Sequence, residues 1–324
     1  MASRFGALSC HDWGMSQLAD VTNSGLIPAS GYLQRPATAR GWDMDRKRQI
    51  QLAETFRARH QAPHLLLLAN AWDALSARIV EEAGFEAVAT TSGGVNWVLG
   101  YADGEAAPWS EVVAATARMA RVLRVPLTAD IEAGYGGSPA EVAKSVGEII
   151  AAGAVGINLE DGTGRADAPM LGIDDAASRI RAARDAAREA AVPIVINARI
   201  DIYLKQIGDP ASRFAETVRR AEAYLAAGAD CVFPFAVTDA DTIGRLTQAI
   251  PAPINIVGRA GTPDVATLER LGVKRVSTAS SLTMMAIAET QRVARELRQR
   301  GSFDILSYQL KRPDIQNLFD GAQR

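Results

Sequence analysis

The chain has 324 residues, 48% hydrophobic and 22% charged, with a formal net charge of −2. That length suits one large barrel or two ordinary domains, and the near-neutral balance gives no reason to expect nucleic acid or an anionic membrane as partner. Cys10 and Cys231 lie far apart and form no metal or redox motif, so a reducing cytoplasm is the expected location.

Residues 1–43 mix Gly, Pro, Ser and Gln without a sustained period and read as a poorly ordered extension. They carry no apolar stretch typical of a secretory signal. Met44 is a candidate start of translation, which native peptides from before it would reject. A helix is expected from 44 to about 59, after which the chain alternates. Apolar runs at 65–69, 87–91, 125–129, 154–159, 193–198, 230–235, 253–257 and 274–279 read as strands. The longest aliphatic run, 65–69, is far too short to cross a bilayer. Amphipathic stretches at 74–83, 109–123, 139–152, 174–190, 211–227, 239–250 and 263–271 read as helices. Several end at a glycine, namely Gly84, Gly153, Gly228 and Gly272, as helix C-termini do. Eight such units predict a parallel (β/α)8 barrel over 44–280. The alternative, an open doubly wound sheet, usually brings a glycine-rich dinucleotide turn, and no clean one is present. Helical segments at 281–300 and 304–319 follow as additional C-terminal helices, suited to subunit contacts or to capping the barrel.

Barrels place their chemistry at the C-terminal ends of the strands. Here those ends carry Asn70 and Asp73; Thr91, Ser92 and Gly93; Asp130 and Glu132; Glu160 and Asp161; Arg199 and Asp201; Pro234 and Phe235; Asn255 and Gly258; and the run from Thr278 to Ser281. Asp103 joins them from the loop after the second strand. The set is rich in carboxylates and lacks histidine and cysteine; the chain has only His11, His60 and His64. Asp130 and Glu132, two apart at a strand end, are expected to face one site. With Asp103 and Glu160 they offer a divalent ion oxygen alone, which selects Mg²⁺ or Mn²⁺ over zinc. Arg199 offers a planar fork to a substrate carboxylate, and Ser92-Gly93-Gly94 offers backbone N–H groups to an anionic oxygen. Such a set would bind a small 2-oxo carboxylate and stabilise its enolate. Plainer roles stand beside these. Arg199 could pair with Asp201 or Glu160, Ser92-Gly93-Gly94 could be an ordinary turn, Asp73 reads as a helix N-cap, Cys231 reads as core, and Tyr135 could be a proton donor or a loop anchor.

Five stretches in order, 89–93, 99–103, 130–136, 158–161 and 197–201, together resemble the isocitrate lyase/phosphoenolpyruvate mutase superfamily over 44–288. The resemblance implies a (β/α)8 barrel, typically a tetramer (a dimer of dimers) whose subunits exchange a C-terminal helix, here the segment 281–324. It implies Asp130 as the direct Mg²⁺ ligand, and Asp103, Glu132 and Glu160 as acids holding the ion's waters. It further implies Ser92 and Gly93 at the carboxylate and enolate oxygens and Arg199 as the substrate-binding arginine. Thr91 and Asn255, at strand ends, stand beside them as candidate substrate-binding residues, and Arg199, Glu160 and Tyr135 as candidate catalytic ones. The departure lies at 161–172, which has no cysteine, histidine or lysine. Superfamily lyases that split 2-hydroxy-tricarboxylates carry a Lys-Lys/Arg-Cys-Gly-His run there, and the mutases carry a Lys and an Asn-Ser pair. The expected reaction is therefore carbon–carbon cleavage or decarboxylation of an oxaloacetate-like 2-oxo acid. Phosphorus chemistry, with Thr163 or Arg165 at the phosphoryl group, is the alternative enzyme reading. A barrel that binds a 2-oxo acid without turning it over is the non-enzyme one.

Overall fold

Residues 45–320 are described by the computed structural model, so the expected extension, with Cys10, His11 and Met44, lies outside the described residues. Eight strands make one all-parallel sheet: β1 (Leu66–Ala71), β2 (Val88–Thr90), β3 (Leu127–Asp130), β4 (Gly156–Glu160), β5 (Val195–Ile200), β6 (Cys231–Pro234), β7 (Asn255–Val257) and β8 (Arg275–Ser277). Their order, β6-β5-β4-β3-β2-β1-β8-β7, leaves β6 and β7 at the two ends. Those ends meet through one parallel bridge, Val232 to Ile254, with the Val232 N–H donating to Pro253 O at 3.0 Å. The sheet is a nearly closed (β/α)8 barrel, and the open doubly wound alternative falls away.

Helices α2 (Ala74–Glu82), α4 (Trp109–Val122), α5 (Pro139–Ala151), α6 (Ile173–Glu189), α8 (Arg213–Ala226), α9 (Ala240–Ala249) and α10 (Val265–Arg270) connect successive strands. Local sequence sets their ends. Asp73 is the N-cap of α2, accepting from the Ser76 N–H while the Ser76 hydroxyl answers the cap backbone. Ser138 and Glu141 make the same reciprocal box around Pro139 at the start of α5. Gly153 (φ 102°) and Gly228 (φ 110°) turn the chain through the left-handed region after α5 and α8, where a Cβ would be strained.

Helix α1 (Arg46–His60) precedes β1, with Ala53 and Phe56 fully buried in the main apolar core. Its Gln49 side chain donates to Ile150 O at 2.7 Å and Ala154 O at 3.2 Å. The barrel interior is more polar than aliphatic strands would suggest. Arg275 of β8 is fully buried and donates to Asn158 Oδ1 at 3.1 Å and to His60 Nε2 at 3.5 Å. It makes no ion pair among the described residues, and burial pushes its guanidinium down to about 10, still charged at neutral pH.

Two short helices depart from the sequence pattern. Helix α3 (Ser92–Leu99) follows β2 directly, and α7 (Ile202–Lys205) follows β5. At the C-terminus α11 (Ser281–Arg300) matches the expectation. The second segment is instead a 3₁₀ turn at Asp304–Leu306 and a short α12 (Arg312–Asn317), because Pro313 supplies no N–H to a continuing helix and sits in the first turn. Among the described residues no helix is long and apolar enough to cross a membrane.

Candidate active site

Strand β3 carries Asp130 as its last residue, and β2 delivers Ser92 beside it as the first residue of α3. The Ser92 N–H donates to Asp130 Oδ2 at 3.2 Å, while the Asp130 N–H is held by Thr90 Oγ1 at 2.8 Å. Asp130 Oδ1 is buried with no hydrogen-bond partner. Burial pushes the Asp130 carboxyl up, with Arg199 pulling it back. With the Ser92 N–H given to Asp130, the Gly93 and Gly94 N–H groups follow in the first turn of α3, where a helix has no acceptor of its own, although of the three only Ser92 lines the pocket. Gly94 admits no side chain: a Cβ would lie 2.7 Å from Thr91 Cγ2 and 2.8 Å from Trp72 Cβ. Thr91 is itself buried, its hydroxyl shared with Ser280 Oγ at 2.7 Å.

A pocket of about 240 Å³ opens at these strand ends, lined by Ser92, Asp103, Glu132, Glu160 and Arg199 among others. A roomier groove of about 600 Å³ lies between α5 and α6, half of its lining residues alanines, and holds none of the strand-end residues. Volume therefore does not identify the site; converging functional groups do.

Glu132 does not face the site by strand alternation as expected. The strand stops at Asp130, and Glu132 sits in the left-handed region at φ 51°. Its carboxylate accepts from Asn96 Nδ2 at 3.1 Å, from the Glu105 N–H at 2.9 Å and from the Tyr135 hydroxyl at 3.2 Å. Burial, with Asp130 and Asp103 nearby, pushes its carboxyl up to about 7 despite these donors. Tyr135 is tied to the same loop. It donates to Glu132, packs against the Trp109 ring at 4.7 Å, and burial beside Glu132 holds its proton more firmly than usual.

Arg199, at the end of β5, is not a free fork. Its Nε and Nη2 donate to the two Asp201 oxygens at 2.7 and 3.0 Å, and Nη1 lies 2.6 Å from Glu160 Oε2. The guanidinium lies 4.0 Å over the Phe235 ring centre. Three of five N–H donors are thus committed, leaving two. Burial pushes Glu160 well up and Arg199 pulls it back; the short contact supports an ionised pair. Gly162 packs closely here, since a Cβ would stand 2.8 Å from Asp201 Oδ2 and 3.1 Å from Glu160 Oε1.

Asp161, next in sequence, turns away from the pocket. It is buried and accepts from Tyr224 OH at 2.7 Å, Arg220 Nη1 at 2.9 Å and the Asp201 N–H at 2.9 Å. Arg220 also holds Leu171 O at 3.1 Å, so one guanidinium ties both feet of the 161–172 hairpin, which is paired Gly162 to Met170.

Several expected residues stay outside the pocket lining. Asn255 is fully buried and exchanges hydrogen bonds with Ser277. Arg165 forms an exposed pair with Asp167, and Thr163, although it lines the pocket, donates its hydroxyl to Ala168 O. Cys231 is buried and its thiol is pushed up to about 12, which leaves it unreactive. Conversely, Glu105 and Lys205 line the pocket and were missed. Lys205 closes α7, a four-residue helix too short to show a period. A basic residue just past a strand end was the only signal available.

Asp103, Asp130, Glu132, Glu160 and Asp201 thus gather against Arg199 and Lys205. That excess of carboxylate, the unpartnered Asp130 oxygen and an all-oxygen donor set fit a hard divalent cation. Among the described residues no three acids, cysteines or histidines converge tightly enough to cage an ion unaided. Mg²⁺, which keeps several waters and takes one or two carboxylates directly, matches that arrangement.

The phosphoenolpyruvate phosphomutase family model matches residues 56–298. The chain is 30% identical over 271 residues to the oxaloacetate decarboxylase of Chromohalobacter salexigens, covering 81% of this chain and 91% of that one. It is 31% identical over 219 residues to the 2-methylisocitrate lyase of Escherichia coli, covering 65% and 71%. Among solved structures, a candidate lyase/mutase from Burkholderia cenocepacia superposes with a TM-score of 0.78 at 38% identity, covering 84% of this chain and 97% of that one.

Proposed function

Because this chain belongs to the phosphoenolpyruvate phosphomutase family, within the isocitrate lyase/phosphoenolpyruvate mutase superfamily of lyases and mutases, we propose that it is a Mg²⁺-dependent carbon–carbon lyase acting on a small 2-oxo acid with a second anionic group. An oxaloacetate-like dicarboxylate is the substrate that fits best. The observation that carries this reading is the make-up of the pocket wall: carboxylates, Arg199 and Lys205, with no cysteine or histidine. Nothing there resembles the cysteine acid that protonates the carbanion leaving a tricarboxylate. Decarboxylation needs no such acid, because the bond to the leaving CO₂ gives its electron pair to the 2-oxo group and water can protonate the enolate.

When bound, Mg²⁺ supplies the positive charge that stabilises developing enolate oxygen. The protein's own part is to bind and orient. Gly93 and Gly94 offer first-turn N–H groups to an anionic oxygen. Arg199, held rigid by Asp201 and Glu160, presents its two remaining donors. Lys205 has no hydrogen-bonding partner for its ammonium among the described residues and takes the distal anion. Hairpin 161–172 stands over the pocket edge with Gly162, Thr163 and Gly164.

A panel of 2-oxo acids tests the reading on the full chain. Mg²⁺-dependent release of pyruvate and CO₂ from oxaloacetate is expected. Phosphate release from phosphonopyruvate in its place would favour phosphorus chemistry, for which Lys205 also suits the phosphoryl group. Stabilisation by oxalate with Mg²⁺ but no turnover of any substrate would make the protein a binder.

A further inference from the structure

Glu105 ties two pocket loops together and has no role in the chemistry above. It lies two residues after Asp103, in the loop between α3 and α4. Its N–H donates to Glu132 Oε2 at 2.9 Å, and its own carboxylate accepts the Tyr135 N–H on Oε1 at 2.7 Å. The Ala133 and Gly134 N–H groups also turn to that carboxylate. The segment can offer consecutive donors because Glu132, Gly134 and Tyr135 have φ of 51°, 104° and 50°. Successive N–H groups in such a turn form a nest for an anion, and here an internal carboxylate fills it. Glu105 is itself held at φ 57°, a conformation that disfavours any residue with a Cβ and persists only where surroundings impose it. The contact is reciprocal: Glu105 gives to one loop residue and receives from its neighbours.

We propose that Glu105 is a positioning residue for the divalent-ion site. It latches the loop bearing Asp103 onto the loop bearing Glu132, so that acids from separate strands keep fixed separations. The inference rests on the Mg²⁺ reading above. Reach into the nest is what matters, since the carboxylate oxygens face backbone N–H groups. A role through charge, with Glu105 holding one of the ion's waters, makes the opposite prediction for conservative variants.

Mg²⁺ titration of the full chain by calorimetry, without substrate, tests this. Glu105→Ala is expected to lose about 10- to 100-fold in Mg²⁺ affinity, the usual cost of removing a residue that orients ligands. Glu105→Gln keeps the reach and one acceptor oxygen for the Tyr135 N–H and is expected to fall between wild type and Ala, whereas Glu105→Asp keeps the charge, falls one methylene short, and drops with Ala. Asp outperforming Gln overturns the proposal in favour of a charge role. Unchanged Mg²⁺ affinity with a lowered metal-free melting temperature in Glu105→Ala overturns it in favour of a purely structural one. If Glu105→Ala does not fold, the Gln–Asp order decides. Wild-type protein that binds no Mg²⁺ at all removes the functional reading and this latch with it.

Discussion

Asp130 holds the residue-scale argument together, because one of its oxygens is engaged by Ser92 and the other is buried and unpartnered. Asp130→Asn should keep the fold and lower Mg²⁺-dependent turnover by at least about 100-fold, more than the loss of an orienting residue; near-normal kcat would move the site elsewhere. His60 gives a second prediction. Its Nδ1–H donates to Phe56 O at 2.7 Å, and burial, then Arg275, lower its pKa from 6.5 to about 3. The folded state resists a proton that the unfolded chain accepts below 6.5, so this stability is complete above that pH and is lost as pH falls toward 3. The loss by pH 4 is roughly 3 kcal/mol. Urea midpoints should therefore fall less steeply with acid in His60→Gln; parallel curves would contradict the account. Ser92, Glu160 and Arg199 were legible in the sequence because a strand end fixes where its next residue goes, while Asp103 was picked from the loop after the second strand. Glu105 and Asn96 were not, because they depend on contacts between loops that no local pattern encodes; the pairing of Arg199 with Asp201 or Glu160 stood among the plainer readings of the sequence, and the structure makes both.

At the scale of elements, the eight strands were legible as apolar runs and their helices as 3.6-residue periods. Helix α3 was hidden by its Ser-Gly-Gly start, which has poor helix propensity and reads as a turn. It forms because Val95 and Asn96 are buried and Gly94 lets the first turn pack against Trp72. The 161–172 hairpin was legible only by what it lacks. Its anchor, Arg220, comes from α8, nearly fifty residues further along the chain, and meets Asp161 with both side chains largely buried. Arg220→Met leaves that carboxylate buried without its cation and should cost about 3–5 kcal/mol. The hairpin should then loosen, raising KM more than it lowers kcat; an unchanged melting temperature would show that Tyr224 and the Asp201 N–H suffice.

At the scale of the molecule, the C-terminal region leaves large apolar groups in solvent: Met285 is 68% exposed, Phe303 75% and Tyr308 79%. Burying one such side chain is worth about 1.5–3 kcal/mol, and several of them exposed along one terminal region suit a contact surface. We propose that a second copy of the chain covers it, in line with the oligomer that the resemblance implied. Sedimentation should show an assembly that Phe303→Asp with Tyr308→Asp reduces in size; a monomeric wild type would refute this. The single bridge between β6 and β7 also has a consequence for how the barrel breathes. Seven strand boundaries are laddered, and the eighth is held by Val232 and Ile254. Local opening should concentrate at that seam, so amide hydrogens there exchange with solvent sooner than those between β2 and β3. The seam lies diametrically across the ring from Ser92 and Asp130, so opening there leaves that pair undisturbed, whereas Phe235, just past β6, carries the motion to the Arg199 guanidinium stacked on it.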